Sequence, residues 1–359
     1  LIAGDQFHAS IYSFMLTQKR AKKTPNAPDK KLAQPITKVG VVGAGLMARQ
    51  LAFQILRRLE VPVLISDIHQ DQVDEAISWM QGQIETLEKK GRLHTDVANK
   101  LRAQISGSTS VSNFSACDLV IEAVYEELRI KQEVFKELEK HVRTDAILAS
   151  NTSSLSIGEI ASALKYPKRM IGIHFFNPVA VMPLVEIVRG KKSSKVALAT
   201  GLDLVQRLRK TAIITADTTG FVVNRLLARL LGEAMHAIEN GTEYGLVDES
   251  VRPLGLPMGP FELLELVGLQ IGAHVLETHH NAFPDRFFKS QALESLVAHG
   301  KIYDRDKNKK ITGISKFAKG LVGSGTGYSL EQLRERVYLG LADEVARMLD
   351  EKVVETAED

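Results

Sequence analysis

A chain of 359 residues can hold two or three domains. Its 44% apolar and 25% charged residues are ordinary for a globular protein, and a net charge of +3 gives no electrostatic case for nucleic acid. The single cysteine, Cys117, excludes an intramolecular disulfide and fits a reducing compartment, and no apolar run reaches the roughly 18–20 residues of a membrane span.

Residues 1–20 read as one helix with Phe7, Ile11, Phe14, Met15 and Leu16 on an apolar side. Residues 19–35 are basic and carry Pro25, Pro28 and Pro35, the composition of a linker. With Leu1 rather than Met at the start, residues 1–35 suggest a linker helix and basic linker from an upstream domain, on which the helix would pack. From Ile36 the chain alternates. Strands are expected at 36–42, 61–66, 118–122, 146–149, 170–174, 183–188 and 211–215. Helices are expected at 43–59, 71–90, 97–104, 128–142, 156–164 and 196–208. This alternation predicts an α/β domain over 36–218, a Rossmann-type, parallel, doubly wound sheet.

After Gly220 the pattern becomes all-α. A helix is expected at 221–239, a proline-punctuated stretch at 253–260 and a helix at 261–276, within a C-terminal helical domain over 219–330. The charged stretch 301–310 reads as a solvated loop. Residues 320–327 read as a plain glycine-rich surface turn, because the Lys-Ser/Thr of a phosphate-binding loop is absent. Glu233 to Glu239 resembles Glu344 to Asp350, so 331–359 suggests the start of a second, truncated helical repeat.

Val39 to Ala48 runs from a strand through Gly43 and Gly45 into a helix. Gly43 permits the tight turn, Gly45 lets a pyrophosphate approach the backbone, and Ala48 at the third position still allows close helix–strand packing. Asp67 closes the next strand, where it can accept hydrogen bonds from a ribose. No arginine beside it awaits a 2′-phosphate, so NAD is expected rather than NADP. Ile121 to Glu127 should line the same crevice. Taken alone, Glu126 and Lys131 read as a solvated charged pair. His174 ends an apolar run beside Asn177 and Pro178, and Glu186 lies in the next strand. Such a pair can form a base and its orienter, although a lone histidine in a turn is more often structural.

Six blocks in order resemble the L-3-hydroxyacyl-CoA dehydrogenase family: Gly43 to Met47, Glu122 to Glu126, Ser150 to Leu155, His174 to Pro178, Gly220 to Arg225, and Pro257 to Leu264. The resemblance spans about residues 36–280. It implies NAD-dependent oxidation of (S)-3-hydroxyacyl-CoA to 3-ketoacyl-CoA in fatty-acid β-oxidation. It implies His174 as general base, Glu186 as its partner, and Ser153 and Asn177 near substrate oxygen, nicotinamide and histidine. Asn224 would contact the substrate. Gly43, Gly45, Leu46, Met47, Asp67, Ala123, Val124, Tyr125, Glu126, Lys131, Ser153 and Asn177 would meet the cofactor, and no metal is implied. The linker and possible repeat resemble the multifunctional fatty-acid oxidation protein. There a hydratase domain precedes the dehydrogenase, a thiolase subunit is the partner, and the setting is the bacterial cytoplasm. The alternatives are a short-chain 3-hydroxybutyryl-CoA dehydrogenase and a catalytically silent scaffold relative.

Overall fold

The computed structural model describes residues 4–22, 24 and 26–357, so Pro25 and the last two acidic residues lie outside it. The chain divides into two units. One runs to Thr218 and includes the segment from Val353 onward; the other is Thr219–Lys352.

The first unit opens with α1 (Asp5–Lys22). Phe7, Ile11, Phe14 and Met15 on this helix are exposed. The expected linker is not featureless, since Asp29 caps a short 3-10 turn at Lys30–Leu32. There follow β1 (Val39–Val42), α2 (Leu46–Leu59), β2 (Val63–Ser66), α3 (Gln70–Lys89), α4 (Thr95–Ala103), β3 (Ile105–Ser108), β4 (Leu119–Glu122), α5 (Leu128–His141), β5 (Ile147–Ser150), α6 (Ile157–Ala161), β6 (Met170–Phe175), β7 (Leu184–Arg189), α7 (Lys195–Arg207) and β8 (Thr211–Ala216). They form one eight-stranded sheet in the order β3-β2-β1-β4-β5-β6-β7-β8. β1, β2, β4 and β5 are buried at every position, as a sheet covered on both faces requires. α2 lays Ala48, Leu51, Ala52, Ile55, Leu56 and Leu59 at helical spacing into this core. Fully burying one such leucine or isoleucine side chain stabilises by about 1.5–3 kcal/mol, far above what helix propensity alone contributes.

Two features correct the expected sheet. It is mixed rather than wholly parallel, because β6 and β7 pair antiparallel. It also gains β3, whose Ile105-Ser106-Gly107-Ser108 is half polar and exposed in part, and which pairs in parallel with β2 at the sheet edge.

The second unit holds α8 (Val223–Glu239), α9 (Tyr244–Ser250), α10 (Pro260–Val267), α11 (Leu269–Ala282), α12 (Gln291–His299), β9 (Tyr303–Arg305), β10 (Ile311–Ile314), α13 (Lys316–Lys319) and α14 (Leu330–Asp350). The helix expected over 261–276 is two helices, separated at Gly268, where φ is +105°. The expected solvated loop at 301–310 contains β9 and leads into β10, and the two form an antiparallel hairpin. Asp306 closes its turn by accepting the N–H groups of Asn308 and Lys310 at 2.9 and 2.8 Å. Tyr303 anchors the hairpin, buried with its hydroxyl donating to Asp248.

The glycine-rich stretch is also more than a surface turn. Its backbone docks on the α8–α9 connection, with Gly323 N–H donating to Ile238 O at 2.9 Å and Gly327 N–H to Asn240 O at 2.8 Å. α14 is tied to α8 through fully buried Arg225, whose Nε donates to fully buried Glu344 at 2.6 Å. Glu351 and Arg286 complete that charge cluster.

Candidate active site

Strand order reverses between β1 and β4, and in open α/β sheets that switch point is where ligands bind. Gly43 leaves β1 there with φ +101°, and a Cβ on it would stand 2.6 Å from the carbonyl oxygen of Ala123, just beyond β4. Only glycine satisfies both constraints. Gly45 is the N-cap of α2, and no side chain caps that helix. A Cβ on Gly45 would meet nothing within 4 Å. An uncapped helix N-terminus facing open space fits the pyrophosphate of a dinucleotide. Asp67 braces the same turn: its Oδ2 accepts Ala44 N–H at 3.0 Å and its Oδ1 accepts His69 N–H at 3.2 Å. Leu46 is exposed and Met47 half-buried at the start of α2.

Across the switch point the chain places ions where the sequence suggested a solvated pair. Lys131 is buried, 1% exposed, and its Nζ lies 2.7 Å from Glu122 and 3.2 Å from Glu126. Glu122 is fully buried and also accepts Val124 N–H at 2.7 Å and the Ser150 hydroxyl at 2.6 Å. Removing one partner of such a buried pair costs about 3–5 kcal/mol, so this network holds the fold as well as the crevice. Glu126 Oε1 gathers the next turn, accepting the Thr152 hydroxyl at 2.5 Å and the Ser153 N–H and hydroxyl at 2.7 and 3.1 Å. Burial opposes its ionisation. The Lys131 ammonium and these donors outweigh that and hold its carboxyl below the usual carboxylate range. Val124 is half-buried and Tyr125 projects outward, 83% exposed.

β6 and β7 place His174 directly opposite Glu186. Both are buried, and His174 Nδ1 lies 2.6 Å from Glu186 Oε2. Phe176 lies against the imidazole, ring centroids 4.5 Å apart. Asn151 receives the Phe175 N–H at 3.0 Å and so ties the end of β5 to the end of β6. Asn177 follows in the next turn, its Oδ1 accepting from Gln50 of α2 at 3.2 Å. Asn224 stands in the first turn of α8, in the second unit.

Sequence reasoning placed Glu122, Ser150 and Asn151 in matching blocks without giving them a role, and passed over Gln50. Glu122 did leave a signal. A carboxylate in the otherwise apolar run Leu119-Val120-Ile121 cannot stay buried without a cation, and Lys131 lies within reach of it.

The glycine turn braced by the Asp67 carboxylate at the switch point and a buried His–carboxylate pair are the features of a dinucleotide-dependent dehydrogenase. The chain belongs to the 3-hydroxyacyl-CoA dehydrogenase family. Residues 38–218 match the family's NAD binding domain, and residues 220–311 match its C-terminal domain. It is therefore an NAD-dependent dehydrogenase of the 3-hydroxyacyl-CoA or 3-hydroxybutyryl-CoA type. Among solved structures, it is similar to FadB2 of M. tuberculosis, with 34% identity over 74% of this chain and 95% of that one and a TM-score of 0.69. It is also similar to the (S)-3-hydroxybutyryl-CoA dehydrogenase of Ralstonia eutropha, with 33% identity over 79% of this chain and 100% of that one and a TM-score of 0.71. The dehydrogenase part of a multifunctional enzyme from C. elegans shares the fold, at 20% identity over 96% of this chain and 83% of that one, with a TM-score of 0.62. No helix among the described residues is long and apolar enough to cross a membrane.

Proposed function

We propose that the chain oxidises (S)-3-hydroxyacyl-CoA to 3-ketoacyl-CoA in fatty-acid β-oxidation, with His174 as general base. The 2.6 Å contact between His174 Nδ1 and Glu186 carries this reading. A carboxylate only accepts, so the shared hydrogen sits on Nδ1 and the neutral ring holds its lone pair on Nε2. Nε2 takes the 3-hydroxyl proton, and the adjacent Glu186 charge favours the imidazolium that results. Loss of that proton lets the carbon release hydride without building positive charge. The nicotinamide supplies the hydride acceptor. In reverse, protonated His174 donates to the ketone oxygen.

Ser153 and Asn177 are assigned hydrogen bonds beside the reacting oxygen and nicotinamide, and Asn224 a substrate contact. Gly43, Gly45, Leu46, Met47, Asp67, Ala123, Val124, Tyr125, Glu126 and Lys131 are assigned to the cofactor. We place the chain within a multifunctional oxidation protein of the bacterial cytoplasm, behind a hydratase domain and beside a thiolase subunit; exposed Phe7, Ile11, Phe14 and Met15 on α1 offer an apolar face for a neighbour. A short-chain substrate is the second reading, favoured by the likeness to the Ralstonia enzyme over its whole length.

NADH oxidation with acetoacetyl-CoA against a palmitoyl-length 3-ketoacyl-CoA separates the two readings. His174→Gln should lower turnover of the better substrate by about 10²–10⁴-fold while NADH still binds. Comparable turnover in that variant would remove His174 as the base.

A further inference from the structure

Gln50 lies on α2, in the second turn after the glycine-lined N-terminus, and is half-buried. Its Oε1 accepts the backbone N–H of Val179 at 2.8 Å, and its Nε2 donates to Asn177 Oδ1 at 3.2 Å. Val179 is buried, and Asn177 stands two residues before it in the turn that follows His174.

These two bonds have a fixed polarity. A backbone N–H can only donate, so Val179 decides which end of the Gln50 amide is the oxygen. The other end is then a donor, and Asn177 must meet it with its own oxygen. The amide of Asn177 is flat and two-ended, so its N–H2 is the end that remains for a ligand. A ketone or alkoxide oxygen accepts hydrogen bonds and never donates them. An asparagine beside it helps only with its N–H2 end forward.

We propose that Gln50 is a positioning residue for this reaction: it orients Asn177 so that a donor faces the reacting oxygen. It does so from the helix whose N-terminus serves the cofactor. The proposal rests on the hydroxyacyl-CoA reading above.

Two substitutions separate orientation from packing. Gln50→Glu keeps an acceptor for Val179 N–H but presents a second acceptor to Asn177. Asn177 must then turn its N–H2 toward the carboxylate and its oxygen toward the ligand. Gln50→Ala removes the clamp without reversing it. With NADH and acetoacetyl-CoA, Gln50→Glu should lower kcat by about 100-fold and Gln50→Ala by about 10-fold, the scale of one lost donor to a developing oxyanion. KM for NADH should stay within about twofold in both. In an Asn177→Ala background, Gln50→Glu should cause no further loss. Wild-type kcat in Gln50→Glu, an equal or larger loss in Gln50→Ala, or a full Gln50→Glu loss in the Asn177→Ala background would each overturn the proposal. Those results in an active wild type leave the hydroxyacyl-CoA reading standing. A wild type that turns over neither short nor long 3-ketoacyl-CoA removes that reading and the role of Gln50 with it.

Discussion

The Asp67 carboxylate braces the glycine turn and carries a second, proposed task. It accepts the N–H groups of Ala44 and His69, and it is the residue assigned to the ribose. Asp67→Ala should therefore weaken NADH binding and narrow the preference over NADPH. It should also lower stability by about 1–2 kcal/mol, because two backbone donors lose their acceptor. Fluorescence titration with both reduced coenzymes reads the first effect and thermal melting the second. An unchanged preference would mean that the ribose is read elsewhere. The glycine turn with Asp67 beside it and the pairing of His174 with Glu186 were legible, because each lies at the end of a strand that the apolar pattern marks. Lys131 was not, because a lysine on an amphipathic helix looks solvated until its partner is known. That partner, Glu122, lies on a different element, and the need for it arises only from burial. Gln50 left no signal at all, since its role depends on a turn far along the chain.

Elements were readable where burial made them regular. The strands at the sheet centre are apolar but for Glu122 at the end of β4, and α2 has a clean helical stripe. Elements that lean on tertiary neighbours were not. β3 is half polar because it sits at an edge, β9 is short and charged, β10 is short and holds Gly313, and the break at Gly268 interrupts a sequence that is apolar on both sides. Gly220 marks the entry to α8 and shows what such neighbours demand. Its φ is +72°, and a Cβ there would fall 1.9 Å from Nε2 of His279. His279 has little room to yield, being fully buried with Nδ1 donating to Val275 O at 2.6 Å. Burial also pushes its pKa down, so the ring is held neutral. Gly220→Ala should cost about 3 kcal/mol or more, from strain and overpacking together. A melting temperature within a degree or two of wild type would show that this junction can relax.

At the scale of the whole molecule, alternation of strand and helix made the doubly wound class legible, because a parallel sheet needs a covering helix at each crossover. The antiparallel turn of β7 was not drawn, although no helix is expected between 170–174 and 183–188 and so short a connection rules out a parallel crossover. Nor was the path of the chain after α14. There Val353 O accepts the N–H of Ala216 at 2.8 Å, so the backbone returns beside the point from which it left. The helical unit is thus an insertion between two touching residues of the nucleotide-binding unit. A cut-and-splice experiment follows. Joining Thr218 to Val353 through a short glycine bridge should close a loop of minimal length and leave a nucleotide-binding unit that folds and binds NADH unaided. Failure of that spliced protein to show a cooperative melt would mean that its sheet depends on the inserted helices for stability. The Ala216–Val353 hydrogen bond marks the seam along which such a cut leaves the register of every strand intact.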